Sequence, residues 1–222
     1  QPYPAIRDSV ASRGLGDVYK RQLNNFELWL VIRIYFVASV PIILMLYSLW
    51  TRKISLSVLY TLICTFIIAA LGWEIWLTYG LSGGLPVDER RSVMLTCAIP
   101  VDLNWFLNSL ADVTVVWIGL LLARFIYRGK KSPFLEWKWP AFLILLIWFL
   151  IQNIYVEAFI YHMQLGSNGD LSWAPMSPLG SWFNPTLFEI VGRPITLQAQ
   201  ICWILVTPII YALSIFFYNR YK

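Results

Sequence analysis

The chain has 222 residues, of which 59% are hydrophobic and 13% charged, and a formal net charge of +5. Soluble domains average nearer half apolar and a quarter charged, so an ordinary soluble domain is excluded. With the apolar residues gathered in blocks of about 20, the positive charge reads as loop charge on a membrane protein rather than a nucleic-acid surface. The predicted fold is all-α: a polytopic integral membrane bundle of about five transmembrane helices in one domain, 23–222.

Residues 1–22, QPYPAIRDSVASRGLGDVYKRQ, are polar and aperiodic, and their latter part resembles a translated adapter sequence. They are expected to be non-native and are set aside. Span 1 is predicted over 27–50, with Arg33 and Pro41 inside it, and span 2 over 56–80. A loop containing LPVDERR (Leu85 to Arg91) comes next, a second candidate functional motif whose competing reading is a solvated turn with internal ion pairs, and Met94 to Pro100 are expected as a re-entrant or interfacial piece. Span 3 is predicted over 104–127, span 4 over 140–163 and span 5 over 198–219. A loop of about 34 residues precedes span 5, and Pro208 marks a kink within it.

Arg52, Lys53, Arg124, Arg128, Lys130, Lys131, Lys138, Arg220 and Lys222 lie on one side of these spans. Only Arg90, Arg91 and Arg193 lie on the other. The cation-rich side, with the C-terminus, is expected to be cytoplasmic, in a membrane of the bacterial inner-membrane type. Cys64, Cys97 and Cys202 have no metal-like spacing and read as packing residues. No metal, cofactor or nucleic-acid partner is expected.

Ionisable groups at membrane depth are costly and normally face a partner or a water-filled cavity. Arg33, Glu74, Asp112 and Glu157 are such groups. Asn104, Asn108 and Asp112 recur every four residues, forming one stripe on span 3, and Asn153, Glu157 and Tyr161 form another on span 4. Glu74 stands among Trp73, Trp76 and Tyr79. Converging faces would make a pocket in which a protonated carboxyl donates, an ionised one accepts, and aromatic faces stabilise a cation. The competing structural reading is helix-to-helix hydrogen bonding by the amides, and pairing of Glu74 and Glu157 with Arg33 and His162.

Four stretches resemble the emopamil-binding (EXPERA-type) membrane proteins, which include sterol isomerases: FIIAALGW (Phe66 to Trp73); Asp112, Thr114 and Trp117; IYVEAFIY (Ile154 to Tyr161); and Gln200, Trp203 and Pro208. The histidine and glutamate that the family carries on span 2 are replaced here by apolar residues, with Glu74 just after the tryptophan instead. GWEIWLTYGLSGGLPVDER resembles membrane lycopene cyclases, and the Trp73-Glu74 pair resembles membrane terpene cyclases. These resemblances imply proton-initiated isomerisation or cyclisation of an isoprenoid lipid taken from the bilayer. Glu74, Asp112 and Glu157 would be catalytic; Trp73, Trp105, Asn108, Asn153, Tyr161, Gln200 and Trp203 would bind substrate. The alternatives from the same residues are a proton-coupled small-molecule transporter and a non-catalytic lipid-binding or assembly subunit. A homo-oligomer or a partner subunit stays open.

Overall fold

The structure, a computed structural model, describes residues 23–52, 54–80, 85–160 and 185–221. Five of its helices are long and apolar enough to cross a membrane: α1 (Asn25–Thr51), α2 (Leu56–Tyr79), α5 (Val101–Ile126), α6 (Trp139–Phe159) and α7 (Leu197–Arg220). Two short helices, α3 (Val87–Arg90) and α4 (Val93–Ala98), lie between α2 and α5. Strands β1 (Thr186–Ile190) and β2 (Arg193–Thr196) form an antiparallel hairpin before α7. The chain is a polytopic helical membrane protein.

Helices α2, α5, α6 and α7 pack in a ring, each against the next, and α1 leans on the outside of α5. The core where α5, α6 and α7 meet includes Val116, Leu145, Phe149 and Ile210. Gly119 lets α6 approach α5, as small residues do at membrane helix interfaces. A Cβ there would stand 2.9 Å from Cε1 of Phe149 and 3.0 Å from Cδ1 of Trp148. Neither ring can yield freely. Phe149 is fully buried, and the Trp148 indole donates to the Val115 carbonyl at 2.8 Å. Gly119→Ala is therefore expected to destabilise the bundle by about 1–3 kcal/mol, read as a lower unfolding midpoint in detergent.

Helix α1 starts in a capping box: the Asn24 side chain accepts from the amides of Phe26 and Glu27, and Glu27 accepts from the Asn24 amide. Pro41 stays inside this helix, and without an N–H it cannot bond the carbonyl four residues earlier. That carbonyl belongs to Val37, and the Thr114 hydroxyl of α5 donates to it at 2.8 Å. A proline is tolerated in a membrane helix when a neighbour satisfies the freed group, so this bond also fixes α1 against α5.

Three sequence expectations change. The solvated-turn reading of LPVDERR gives way to α3, folded inward with Arg90 only 2% exposed. Span 3 begins earlier, at Val101, because Pro100 serves as its N-cap. The long loop before span 5 ends in a hairpin joined by a two-residue Val191-Gly192 turn. Both turn residues have positive φ, 54° and 70°, as a type I′ turn requires. Positive φ is costly for β-branched valine, so Val191→Asn is expected to stabilise the protein by about 1 kcal/mol, again by thermal unfolding. The segment Met94 to Pro100 forms α4, capped by the Ser92 hydroxyl accepting from the Leu95 amide, and leads into α5.

Candidate functional site

Helix α2 is not uniform. Residues Ala70–Glu74 form a π-helical turn, which holds an extra residue and rotates the rest of the helix by roughly 100° relative to an unbroken α-helix. The indole N–H of Trp105 donates to the Ala70 carbonyl at 2.8 Å and supports this widened turn. Glu74, at its end, is turned into the bundle and is 4% exposed. One of its carboxyl oxygens, Oε2, is buried and makes no hydrogen bond.

Glu74 faces a cavity of about 90 Å³ between the helices. Trp73 of α2, Asn108 and Asp112 of α5, Asn153 of α6, Trp203 of α7 and Arg33 of α1 share its wall. The Trp73 indole donates to Oδ2 of Asp112 at 2.8 Å, and the Trp73 and Trp203 rings lie 5.6 Å apart at 52°. Trp203 is six residues into α7, which places the cavity about 9 Å below that helix's first turn, in the half of the bundle away from the basic loop.

The stripe on α6 joins this wall through a chain of hydrogen bonds. Asn153 Nδ2 donates to Gln200 Oε1 at 3.1 Å, and Gln200 Nε2 donates to Glu157 Oε2 at 2.7 Å. The other Glu157 oxygen accepts from the Thr196 amide at 2.9 Å and its hydroxyl at 2.7 Å. Thr196 is the N-cap residue of α7. Glu157 thus ties α6 to the start of α7, where amides and the helix dipole favour an anion.

Of the residues read from the sequence, Glu74, Asp112, Trp73, Asn108, Asn153 and Trp203 meet at the cavity. Gln200 and Glu157 reach it through Asn153. Trp105 braces the π turn from outside the wall, and Asn104 lies one turn further out. Tyr161 and His162 lie outside the described residues, as do residues 1–22 and most of the aromatic loop before β1.

The two loop arginines are part of the assembly, where the competing sequence reading of LPVDERR was a solvated turn. Arg90 donates to the Leu77 carbonyl at 2.5 Å, one turn beyond Glu74. Arg91 donates to Thr96 Oγ1 at 3.2 Å, to Asn104 Oδ1 at 2.9 Å and to the Ile99 carbonyl. Asn104 in turn donates to Thr78 Oγ1 at 3.2 Å. Burial pushes the Arg91 guanidinium down to about 10, so it remains charged at neutral pH and seals the outer end of the α2–α5 seam. The available signal was the adjacent arginine pair beside the apolar run from Val93. Lysine lacks the planar fork needed for three acceptors, so Arg91→Lys is expected to cost about 1–3 kcal/mol, read by thermal unfolding at neutral pH.

Among the described residues no three His, Cys, Asp or Glu side chains are grouped to hold a metal ion. The arrangement provides two carboxyls and a guanidinium on one small, partly aromatic cavity, with an amide–carboxylate chain leading outward. No protein-family model matches the chain, and neither a curated protein nor a solved structure matches it.

Proposed function

We propose that the chain is a membrane protein that moves protons through the Glu74–Asp112 cavity. The observation that carries this reading is the pairing of two carboxyls on a cavity of about 90 Å³. Water occupies about 30 Å³ per molecule, so the cavity has room for a few waters or one small ion. Pockets for drug-sized ligands run to about 300–1,000 Å³. Buried carboxyls with water between them are the usual parts of intramembrane proton relays. Arg33 shares the wall with the two carboxyls, and the Glu157–Gln200–Asn153 chain orients the polar groups on the α6–α7 side. The lysine- and arginine-rich side and the C-terminus would face the cytoplasm.

The test is proton uptake into sealed proteoliposomes under an imposed potential, followed by an internal pH dye. Uptake above that of empty vesicles, lost in Glu74→Gln and Asp112→Asn, supports the proposal. Uptake equal to empty vesicles, from protein shown to be folded, overturns it.

A second reading, an enzyme that protonates an isoprenoid lipid, is favoured by the two indoles. Trp73 and Trp203 line the same cavity as the carboxyls, and such faces attract a carbocation. Glu74 or Asp112 would donate the proton, after the helices part to admit the substrate from the bilayer. A polyprenoid, carotenoid or sterol-like molecule found by mass spectrometry of the purified protein would move the assignment to this reading.

A further inference from the structure

We propose that the basic end of the bundle holds a binding site for one anionic glycerophospholipid, lying in a trough that runs from the loop after α5 towards the middle of the α1–α2 seam. Three cavities make up the trough. The first, about 600 Å³, is lined by Arg124, Tyr127, Arg128, Lys130, Ser132 and Tyr218. The second, about 400 Å³, shares Arg124 and Tyr218 with the first and adds Ser55, Ser57, Thr61 and Trp117. The third, about 250 Å³, shares Leu44 and Ile54 with the second and has a wholly apolar wall that includes Leu62, Phe66 and Val113.

The polarity along the trough matches that of a phospholipid. Three cations stand where a phosphate would lie, and none of the residues lining the trough is acidic. Glu136, the acid nearby in the loop, pairs with Lys138 at 3.8 Å. Hydroxyls come next, at the level of the glycerol esters, then a hydrocarbon-lined end. The depth also fits. Arg124 and Val113 are eleven residues apart on α5, about 16 Å along the axis, and half of a hydrocarbon core of roughly 30 Å is about 15 Å. The trough exists because α1 leans on α5 rather than on α2, which leaves the α1–α2 seam open to an acyl chain. Basic clusters beside membrane helices bind anionic head groups; the apolar continuation adds the demand for a lipid rather than a free phosphate.

The experiment is native mass spectrometry of the full chain, delipidated in neutral detergent and titrated with phosphatidylglycerol, phosphatidylcholine or glycerol phosphate. One phosphatidylglycerol should bind saturably and displace phosphatidylcholine. Replacing Arg124, Arg128 and Lys130 together by Gln should weaken it on the order of 100-fold. Leu44→Trp, which narrows the trough with the cations intact, should weaken it as well. Circular dichroism and the lipid-free unfolding midpoint verify that both variants fold. Equal binding of the two lipids overturns the proposal, as does unchanged affinity in the triple variant. Glycerol phosphate competing as well as the lipid would make this a head-group site only and overturn the lipid assignment.

Discussion

Glu74→Gln and Asp112→Asn are each expected to lower proton uptake into proteoliposomes by at least about 100-fold, the lower range for a positioned proton-transfer group, without loss of fold. Both changes are nearly isosteric. Gln at 74 keeps the shape of a side chain that is 4% exposed with one unbonded carboxyl oxygen. It also removes a group whose ionised form is costly at that depth. Its unfolding midpoint should therefore equal or exceed that of the unmodified chain. Asp112→Asn can still accept from the Trp73 indole through its amide oxygen. Loss of uptake with stability retained marks the pair as functional. Loss of stability with uptake retained in the folded fraction would mark it as structural and remove the basis of the proposed relay.

For Glu157 the opposite pattern is expected. Glu157→Ala removes the acceptor for the Thr196 amide, the Thr196 hydroxyl and the Gln200 amide. It leaves donors buried between α6 and α7, at an expected cost of about 3–5 kcal/mol. Glu157→Gln should cost less, about 1–2 kcal/mol. Its new NH₂ can take the place of the oxygen that accepts from Gln200 only if Gln200 turns over, and Gln200 Oε1 is already engaged by Asn153. Thermal unfolding in detergent measures both. A Glu157→Ala protein that melts with the unmodified chain but has lost uptake would assign Glu157 to the relay itself rather than to the support of its wall.

Five spans and a polar interior were legible from the sequence because both are properties of single segments. A run of about 20 apolar residues crosses a membrane wherever its neighbours lie, and the four-residue recurrence of Asn108 and Asp112 puts both on one face of α5 in any packing. The candidate carboxyls were found by the same logic, since an acid inside an apolar run stands out by its cost. What the periodicity could not supply was which faces meet. Trp73 bonds Asp112 across 39 residues of chain, a juxtaposition decided by the packing of α2 on α5. The π turn at Ala70–Glu74 changes the direction in which Glu74 points, and it is supported by Trp105 from another helix. Thr196 became the partner of Glu157 only when α7 docked on α6. The loop arginines look like solvated charge in sequence, because the carbonyls and amide that receive them come from α2, from the residue after α4 and from α5. Segment polarity and period are written along the chain; hydrogen-bond partners between distant segments, and the volume left between them, arise only when the helices close on one another.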